Sequence, residues 1–562
     1  MPTAPPLPTR REDLLARLAE PGTHDLAIVG GGATGLGVAL DAAARGFDVV
    51  LLEAEDFAKG TSSRATKLVH GGVRYLAQGN LALVREALRE RDRLLRNAPH
   101  LAAPLPFVMP AYTLWEAPFY GIGLKLYDLL AGRSGLGDTT FLGRAATLRR
   151  LPNLRAPGLR AGVLYWDGQF DDARLALALA RSAAERGALL VNHLRVTRLL
   201  HEAGRVAGVV AEDSASGRAY PVRARCVVNA TGVWVDALRA LDGTGAGGAP
   251  VAPMVAPSQG VHLVVDRSFL PTDHALLVPS TSDGRVLFAV PWLGSTLLGT
   301  TDTPRADLPL EPEALAEEVS FILRESARYL ARPPGRGDVR SVWVGLRPLV
   351  RPPSDDGSDT KRLSREHTVL TSRSGLVTVT GGKWTTYRAI AEDVLEACFA
   401  GALLARRAGG VTESLVLAGG HAPASSDAAA GGSMPTPPAA EPDTRTAQAG
   451  AGTATRSALA APPGLHLYGS DAPFVQALPG AGRVLTDGLT EAMVRFAVRH
   501  EYARTVEDVL ARRSRLLFLD ARRAAAVAPA VAALLREETG ADPRLEDFLA
   551  LAQRYASLPG SL

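Results

Sequence analysis

Cysteine is almost missing from this 562-residue chain: Cys226 and Cys398 are the only two. Neither belongs to a CxxC pair, which excludes a disulfide framework, a cysteine zinc site and an iron–sulfur cluster. A reduced, cytosolic compartment is the natural expectation. Lysine is scarce too, with five residues (Lys59, Lys67, Lys125, Lys361, Lys383) among 62 basic ones, so arginine is the default cation and each lysine stands out. The 62 basic and 58 acidic residues nearly cancel, and no basic cluster dominates, which argues against a nucleic-acid partner. No apolar run reaches the roughly 18 to 20 residues that span a bilayer. Residues 1–24 lack an apolar signal-peptide core. Neither an HExxH nor another His/Asp cluster appears, so no metal is expected. A GxSxG nucleophile elbow is absent as well.

What is present is ample for a globular body. Hydrophobic residues make up 46% of the chain. At roughly 150 residues per domain the length allows three or four units. From Asp25 to about 410, strand-like runs alternate with helical patterns. Residues 421–463 (HAPASSDAAAGG…) have no aromatic and almost no branched apolar residue, and read as a flexible linker. From Leu465 onward helical periodicity returns, as in EAMVRFAVRHEYARTVEDVLARR, which predicts a separate small helical domain.

The sharpest local signal opens the body. DLAIVG predicts a buried strand, GGGATG (Gly30 to Gly35) a tight turn, LGVALDAAARG a helix, and FDVVLLEA a second strand ending at Glu53. Gly30 permits the turn, Gly32 lets backbone approach a pyrophosphate, and Gly35 allows close helix packing. The helix N-terminus offers free N–H groups and a positive dipole end to the anion. Glu53 is placed to accept from ribose hydroxyls. Two later segments repeat the strand-to-small-turn pattern: VVNATG, ending in Ala230, Thr231 and Gly232, and LVTVTGGKWTTYR, with Gly381, Gly382 and Lys383 before a helix. Three returns to one ligand favour FAD over NAD, in the manner of two-domain flavoproteins of the glutathione-reductase type.

Between these elements lies KGTSSRATKLVHGGVRYL. Together with YWDGQFDDARL, VVNATGVWVD, SQGVHLVV, FAVPW, LLGTTDTP, VWVGLRPL, LSREHTV and GGKWTTYR, it makes the chain resemble the FAD-dependent glycerol-3-phosphate dehydrogenases over about residues 24–420, and more weakly beyond. The resemblance implies an α/β fold: a Rossmann-like FAD-binding domain interleaved with an antiparallel-sheet substrate (cap) domain, plus a C-terminal α-helical domain. The expected order is an N-terminal tail or helix (1–23) and an oxidoreductase body (24–410). Within the body, FAD-binding segments fall near 24–100, 165–255 and 365–410, and cap segments near 101–164 and 256–364. The 421–463 linker and a helical domain over 464–562 follow.

It also implies oxidation of sn-glycerol 3-phosphate to dihydroxyacetone phosphate by hydride transfer from C2 to flavin N5. Electrons would go to a quinone, from a cytoplasmic protein held peripherally on the inner face of the cell membrane; a homodimer is one assembly it allows. Alternatives are an oxygen-using oxidase of the wider superfamily and a flavin-bound sensor without turnover.

Carried over by motif, the cofactor-binding candidates are Gly30, Gly31, Gly32, Thr34, Gly35, Glu53, Thr61, Ser62, Ser63, Lys67, Leu68, Val196, Ala230, Thr231, Gly232, Gly382, Lys383 and Thr385. The substrate's phosphate calls for guanidinium forks: Arg74, Arg347 and Arg365 are the candidates, with Tyr75 and Lys383 beside them. His70, Arg347 and Lys383 are the catalytic candidates. His70, as a neutral imidazole, is suited to take the C2 hydroxyl proton, while Arg347 is suited to stabilise developing alkoxide charge; the sequence leaves open which group accepts the proton. FYGIGLKLYDLLAG (Phe119 to Gly132) reads either as an interfacial amphipathic helix or as a core helix of the cap.

Overall fold

The computed structural model describes residues 5–72, 80–243, 251–351, 367–421 and 458–560. Two sheets organise the body. The first has eight strands, in the order His367–Thr371, Leu376–Gly381, Ala219–Asn229, Thr23–Val29, Val49–Leu52, Leu189–Val191, with the hairpin Leu194–Glu202/Arg205–Asp213 attached to Ala219–Asn229. Its central strands are parallel. Residues 26–29 of the strand Thr23–Val29, and all of Val49–Leu52, are apolar and buried because helices Ala33–Ala44, Asp172–Ala184 and Tyr387–Ala400 are part of the same core. Cys226 and Cys398 are buried free thiols in this core, their sulfurs 3.6 Å apart.

The second sheet has ten strands and is mostly antiparallel. Its spine is the long pair Ala102–Ala111/Ala161–Phe170 and the ten-residue register between Val255–Asp266 and Ser341–Val350. The strand Ala161–Phe170 belongs wholly to this sheet, past the expected break at 164/165, and so does Leu68–Val69, inside the segment assigned to the nucleotide. The chain therefore passes between the two layers at residues 67–70, and the HGG turn that follows lies at their junction.

The C-terminal region is helical as expected (Glu491–His500, Ala521–Thr539, Leu545–Ala556), and it packs closely on both layers of the body. Phe496, Phe518 and Leu535 share one apolar core with Phe107, Val264 and Trp343 of the second sheet. Buried ion pairs join it to the first layer: Arg174–Glu501 (2.8 Å), Arg181–Asp471 (2.6 Å) and Asp56 with Arg512 and Arg513, and His193 Nε2 lies 3.0 Å from Asp508. The N-terminal helix Arg11–Ala19 is preceded by Thr9, whose N–H donates to Arg499 O at 2.8 Å. Most of the expected linker lies outside the described residues. Its last part is docked: Leu459 is buried beside Trp292 and Leu467, and its carbonyl accepts from Leu293 N at 2.7 Å.

Candidate active site

The glycine turn is built as its spacing demands. Gly30 has φ +110, and a Cβ there would stand 2.6 Å from Ala230 O; a Cβ on Gly35 would collide with Gly30 O. Ala230 N donates to Val29 O (2.9 Å), which brings the Ala230–Gly232 turn against Gly30. The helix begins at Ala33, earlier than the sequence suggests, and its first N–H donates to Ser62 Oγ at 2.9 Å. Thr34 lies in its first turn, partly exposed. Glu53 accepts from Gly31 N (2.6 Å) and Glu55 N (2.8 Å). Burial pushes its carboxyl up, and these two N–H groups oppose the shift. Val196 lies two residues past Leu194, whose N–H reaches Glu53 O at 2.8 Å.

The Thr61–Ser63 turn closes one side of the cradle. Thr61 Oγ1 donates to Leu346 O (2.6 Å), and Trp384 Nε1 donates to Ser62 O (2.8 Å). Opposite, Thr380 Oγ1 donates to Gly232 O (3.1 Å), and Gly381 and Gly382 take φ +83 and +77 to turn the chain into Lys383 and the helix. Thr385 Oγ1 bonds both His70 N (3.3 Å) and His70 O (3.4 Å), so His70 sits against the GGK turn. Gly71 N donates to Tyr127 OH (2.8 Å), which donates to Asp167, itself paired with Arg91. The three small-residue turns thus converge on one cradle with His70 at its edge.

FAD fits these residues. The close approach at Gly30 and Gly35 leaves backbone N–H groups and a helix N-terminus facing one side, the arrangement that takes a pyrophosphate. The buried Ser63 hydroxyl has no hydrogen-bond partner among the described residues. The Lys67 side chain meets the cradle from behind, at the carbonyl of Ser63. The ammonium is fully enclosed, 2.7 Å from both Ser63 O and Asp172, over the rings of Trp343, Trp292 and Phe518. Burial pulls its pKa down to about 7, against the attraction of Asp172. The Leu68 side chain is buried in the apolar core beneath the second sheet.

Arg347 stands on Ser341–Val350, whose neighbour Leu346 receives Thr61, so one strand spans the flavin loop and the cap. Its guanidinium donates to Thr301 O (2.9 Å), Gln259 O (3.2 Å), Thr300 Oγ1 (3.3 Å) and Asp302 (3.3 Å). Asp302 also accepts from Ser258 Oγ. Nearby, His262 stacks on Trp343 at 4.2 Å and bonds Thr66 Oγ1 at 3.0 Å. Burial, with Lys67 and Arg347 close by, holds His262 well below the usual histidine range, hence neutral at pH 7. Gln259, Thr300, Asp302 and His262 were not singled out from sequence, although SQGVHLVV and LLGTTDTP contain them. Arg74, Tyr75 and Arg365 lie outside the described residues.

Comparison with known proteins gives this geometry its family. The model of FAD dependent oxidoreductases matches residues 25–388, and that of the C-terminal domain of alpha-glycerophosphate oxidase matches 411–545. The chain is 41% identical over 547 residues to a probable mitochondrial glycerol-3-phosphate dehydrogenase of Caenorhabditis elegans, spanning 95% of this chain and 73% of that one. It is 39% identical to the mitochondrial glycerol-3-phosphate dehydrogenase of Homo sapiens, covering 98% and 75% of the two chains. The chain belongs to the FAD-dependent glycerol-3-phosphate dehydrogenase family. Among solved structures, the glycerol-3-phosphate dehydrogenase from Bacillus halodurans, complexed with FAD, aligns with a TM-score of 0.72 at 27% identity over 98% of this chain and 99% of that one. An α-glycerophosphate oxidase from Mycoplasma pneumoniae shares the fold, with a TM-score of 0.52 at 17% identity. The family's cofactor is the FAD that the cradle fits.

Proposed function

We propose that the protein oxidises sn-glycerol 3-phosphate to dihydroxyacetone phosphate and passes the electrons to a quinone at a membrane surface. The observation that supports this most is the strand Ser341–Val350, which carries Arg347 while its Leu346 carbonyl anchors the flavin loop. Bound FAD supplies the two-electron acceptor. Arg347, held by Thr301, Gln259, Thr300 and Asp302, orients the substrate's anionic or C2 oxygen and stabilises negative charge developing there. His70, at the cradle's edge, takes the C2 hydroxyl proton. Lys383, where the third turn enters its helix, helps hold the substrate phosphate.

A membrane location draws support from the helix Glu116–Ala131. Trp115, Phe119, Ile122, Leu126 and Leu129 recur every three or four residues and are all exposed, with Leu114 82% and Leu129 76% accessible and Phe141 alongside. That stripe, beside Lys125 and Arg133, suits the boundary between acyl chains and headgroups. Among the described residues no helix is long and apolar enough to cross a membrane, so the contact proposed is peripheral.

Anaerobic addition of glycerol 3-phosphate to the yellow protein tests the substrate. Bleaching of the flavin band is expected, with reoxidation by a soluble quinone. A flavin that stays oxidised with glycerol 3-phosphate, yet bleaches with an amine or another 2-hydroxy compound, refutes the assignment. Reoxidation by oxygen with stoichiometric peroxide, but not by quinone, would make the protein an oxidase.

A further inference from the structure

We propose that Arg515 is a positioning residue for the flavin loop, the group through which the C-terminal helical unit sets residues 61–67; this rests on the flavin reading above. Arg515 sits in the left-handed region (φ +65) between the turn Asp508–Arg513 and the short helix Leu516–Leu519. It is completely buried. Nη1 donates to Ala511 O in its own unit (2.8 Å), while Nη2 crosses to Ser63 O (2.8 Å) and Asp172 Oδ1 (3.0 Å). Its plane lies over Phe518, 4.4 Å from the ring centre.

The acceptors make this more than a packing contact. Ser63 O also accepts from Lys67 Nζ, and the second oxygen of Asp172 accepts from Lys67 Nζ (2.7 Å) and Ala65 N (3.0 Å). One carbonyl and one carboxylate thus gather a cation from each unit into a closed ring. With Asp171 Oδ1 3.4 Å from Arg515 Nε, the ring joins two basic side chains to two carboxyl groups. A buried charge left without its partner is strongly destabilising, so the ring is whole only with the C-terminal unit docked.

On its other side the same loop meets the cradle, where Ser62 binds Ala33 N and Trp384, and Thr61 binds Leu346. Ser63 is therefore the pivot between docking and cradle. Two further contacts grip the chain just upstream. Arg512 and Arg513 both hold Asp56, three residues beyond Glu53, and Glu507 holds Lys59 at 2.7 Å. Four residues of one unit seize three points of the segment that wraps the nucleotide. The arginine fork suits this task because its donors reach three acceptors from one rigid plane, which an ammonium does not.

The test compares holoenzymes of Arg515→Met, Arg515→Lys and a control, Arg495→Met. Arg495 pairs with Glu491, Glu537 and Glu538 within the C-terminal unit and does not touch the loop. FAD release is read by the rise in flavin fluorescence on dilution, and loop order by hydrogen exchange at the Ala65 amide. Arg515→Met is expected to weaken FAD retention at least tenfold and to speed Ala65 exchange at least tenfold. Arg515→Lys should fall between it and wild type. Arg495→Met should lower Tm without moving either readout. Arg515→Met that matches Arg495→Met on both counts overturns the proposal. Should Arg515→Met not fold, wild-type FAD release and Ala65 exchange in Arg515→Lys overturn it equally. Failure of the flavin reading looks different: wild type itself would then carry no FAD.

Discussion

Gly260→Ala is the sharpest probe of Arg347, because it leaves the guanidinium in the chain and moves it. Gly260 pairs with Gly345 in the second sheet, and a Cβ added there would stand 2.9 Å from Arg347 Cζ, 2.6 Å from Thr300 Oγ1, and closer still to Arg347 Nη2. Carbon contacts settle near about 3.5 Å, so the guanidinium must retreat by roughly 0.6 to 1 Å. Its bonds to Gln259, Asp302 and Thr300 are already 3.2 to 3.3 Å long, and such a retreat breaks most of them. If the displaced fork loses one charged hydrogen bond to substrate, the penalty is about 1.5–3 kcal/mol, or roughly 10- to 100-fold. Steady-state assays with dye or quinone should show kcat/KM for glycerol 3-phosphate reduced by that factor. FAD content should match wild type, since Gly260 lies outside the cradle. Overpacking adds about 1–3 kcal/mol of destabilisation, visible as a lower Tm. A variant with wild-type kcat/KM would show that Arg347 does not touch the substrate. One that lost FAD instead would place Gly260 in the cofactor's support.

Burial pulls the Lys67 ammonium down to about 7 from an ordinary 10.5, so between those values the unfolded chain binds more protons and this group's contribution to stability rises with pH. Lys67→Met removes that slope, of at most about 1.4 kcal/mol per pH unit. Tm differences between variant and wild type at pH 7, 8 and 9 should change steadily, and a constant difference refutes the assignment. Glu507 is also shifted down, but there the shift favours the charged form: burial raises it, and Lys59 and Arg512 overcome burial and hold it at about 2. Its contribution is complete above about 4.5 and is lost as pH falls toward 2. Glu507→Gln should therefore flatten the fall of Tm with acid in that window, and parallel acid profiles would exclude the pair from holding the C-terminal unit. Finally, Phe119→Asp with Ile122→Asp should abolish co-sedimentation with vesicles containing anionic lipid while keeping FAD and activity toward a soluble acceptor. Unchanged vesicle binding would move the membrane contact elsewhere.

What was readable in the sequence was local. The Gly30–Gly35 turn announces itself because its glycines, the strand before and the helix after lie within about twenty residues, and each glycine answers a steric demand visible in the spacing. The ATG and GGK turns share that property. The helix Glu116–Ala131 was legible as a helix, but its role was not. A stripe of Trp115, Phe119, Ile122, Leu126 and Leu129 suits a protein core and a lipid surface equally, and only what packs against it distinguishes them.

The docking of the C-terminal unit fails to show for a different reason. RRSR at 512–515 looks like the basic last turn of a surface helix, the ordinary place for arginine. Its partners Asp56, Asp171 and Asp172 lie more than 300 residues away and look equally ordinary: an acid after a strand, and two at a helix start. Neither half carries a mark of burial, because a buried ion pair is composed of residues that taken singly belong at the surface. Lys67 stands out in the sequence by its rarity and by its place in the TSSRATKLVHGG motif, and neither shows what its ammonium touches. Its neighbours make its ammonium a brace for the flavin loop, and Arg515, from the far end of the chain, completes the same ring. Charges that act in pairs are therefore where a sequence reading of this protein errs most, and it is through such pairs that the C-terminal unit reaches the flavin loop.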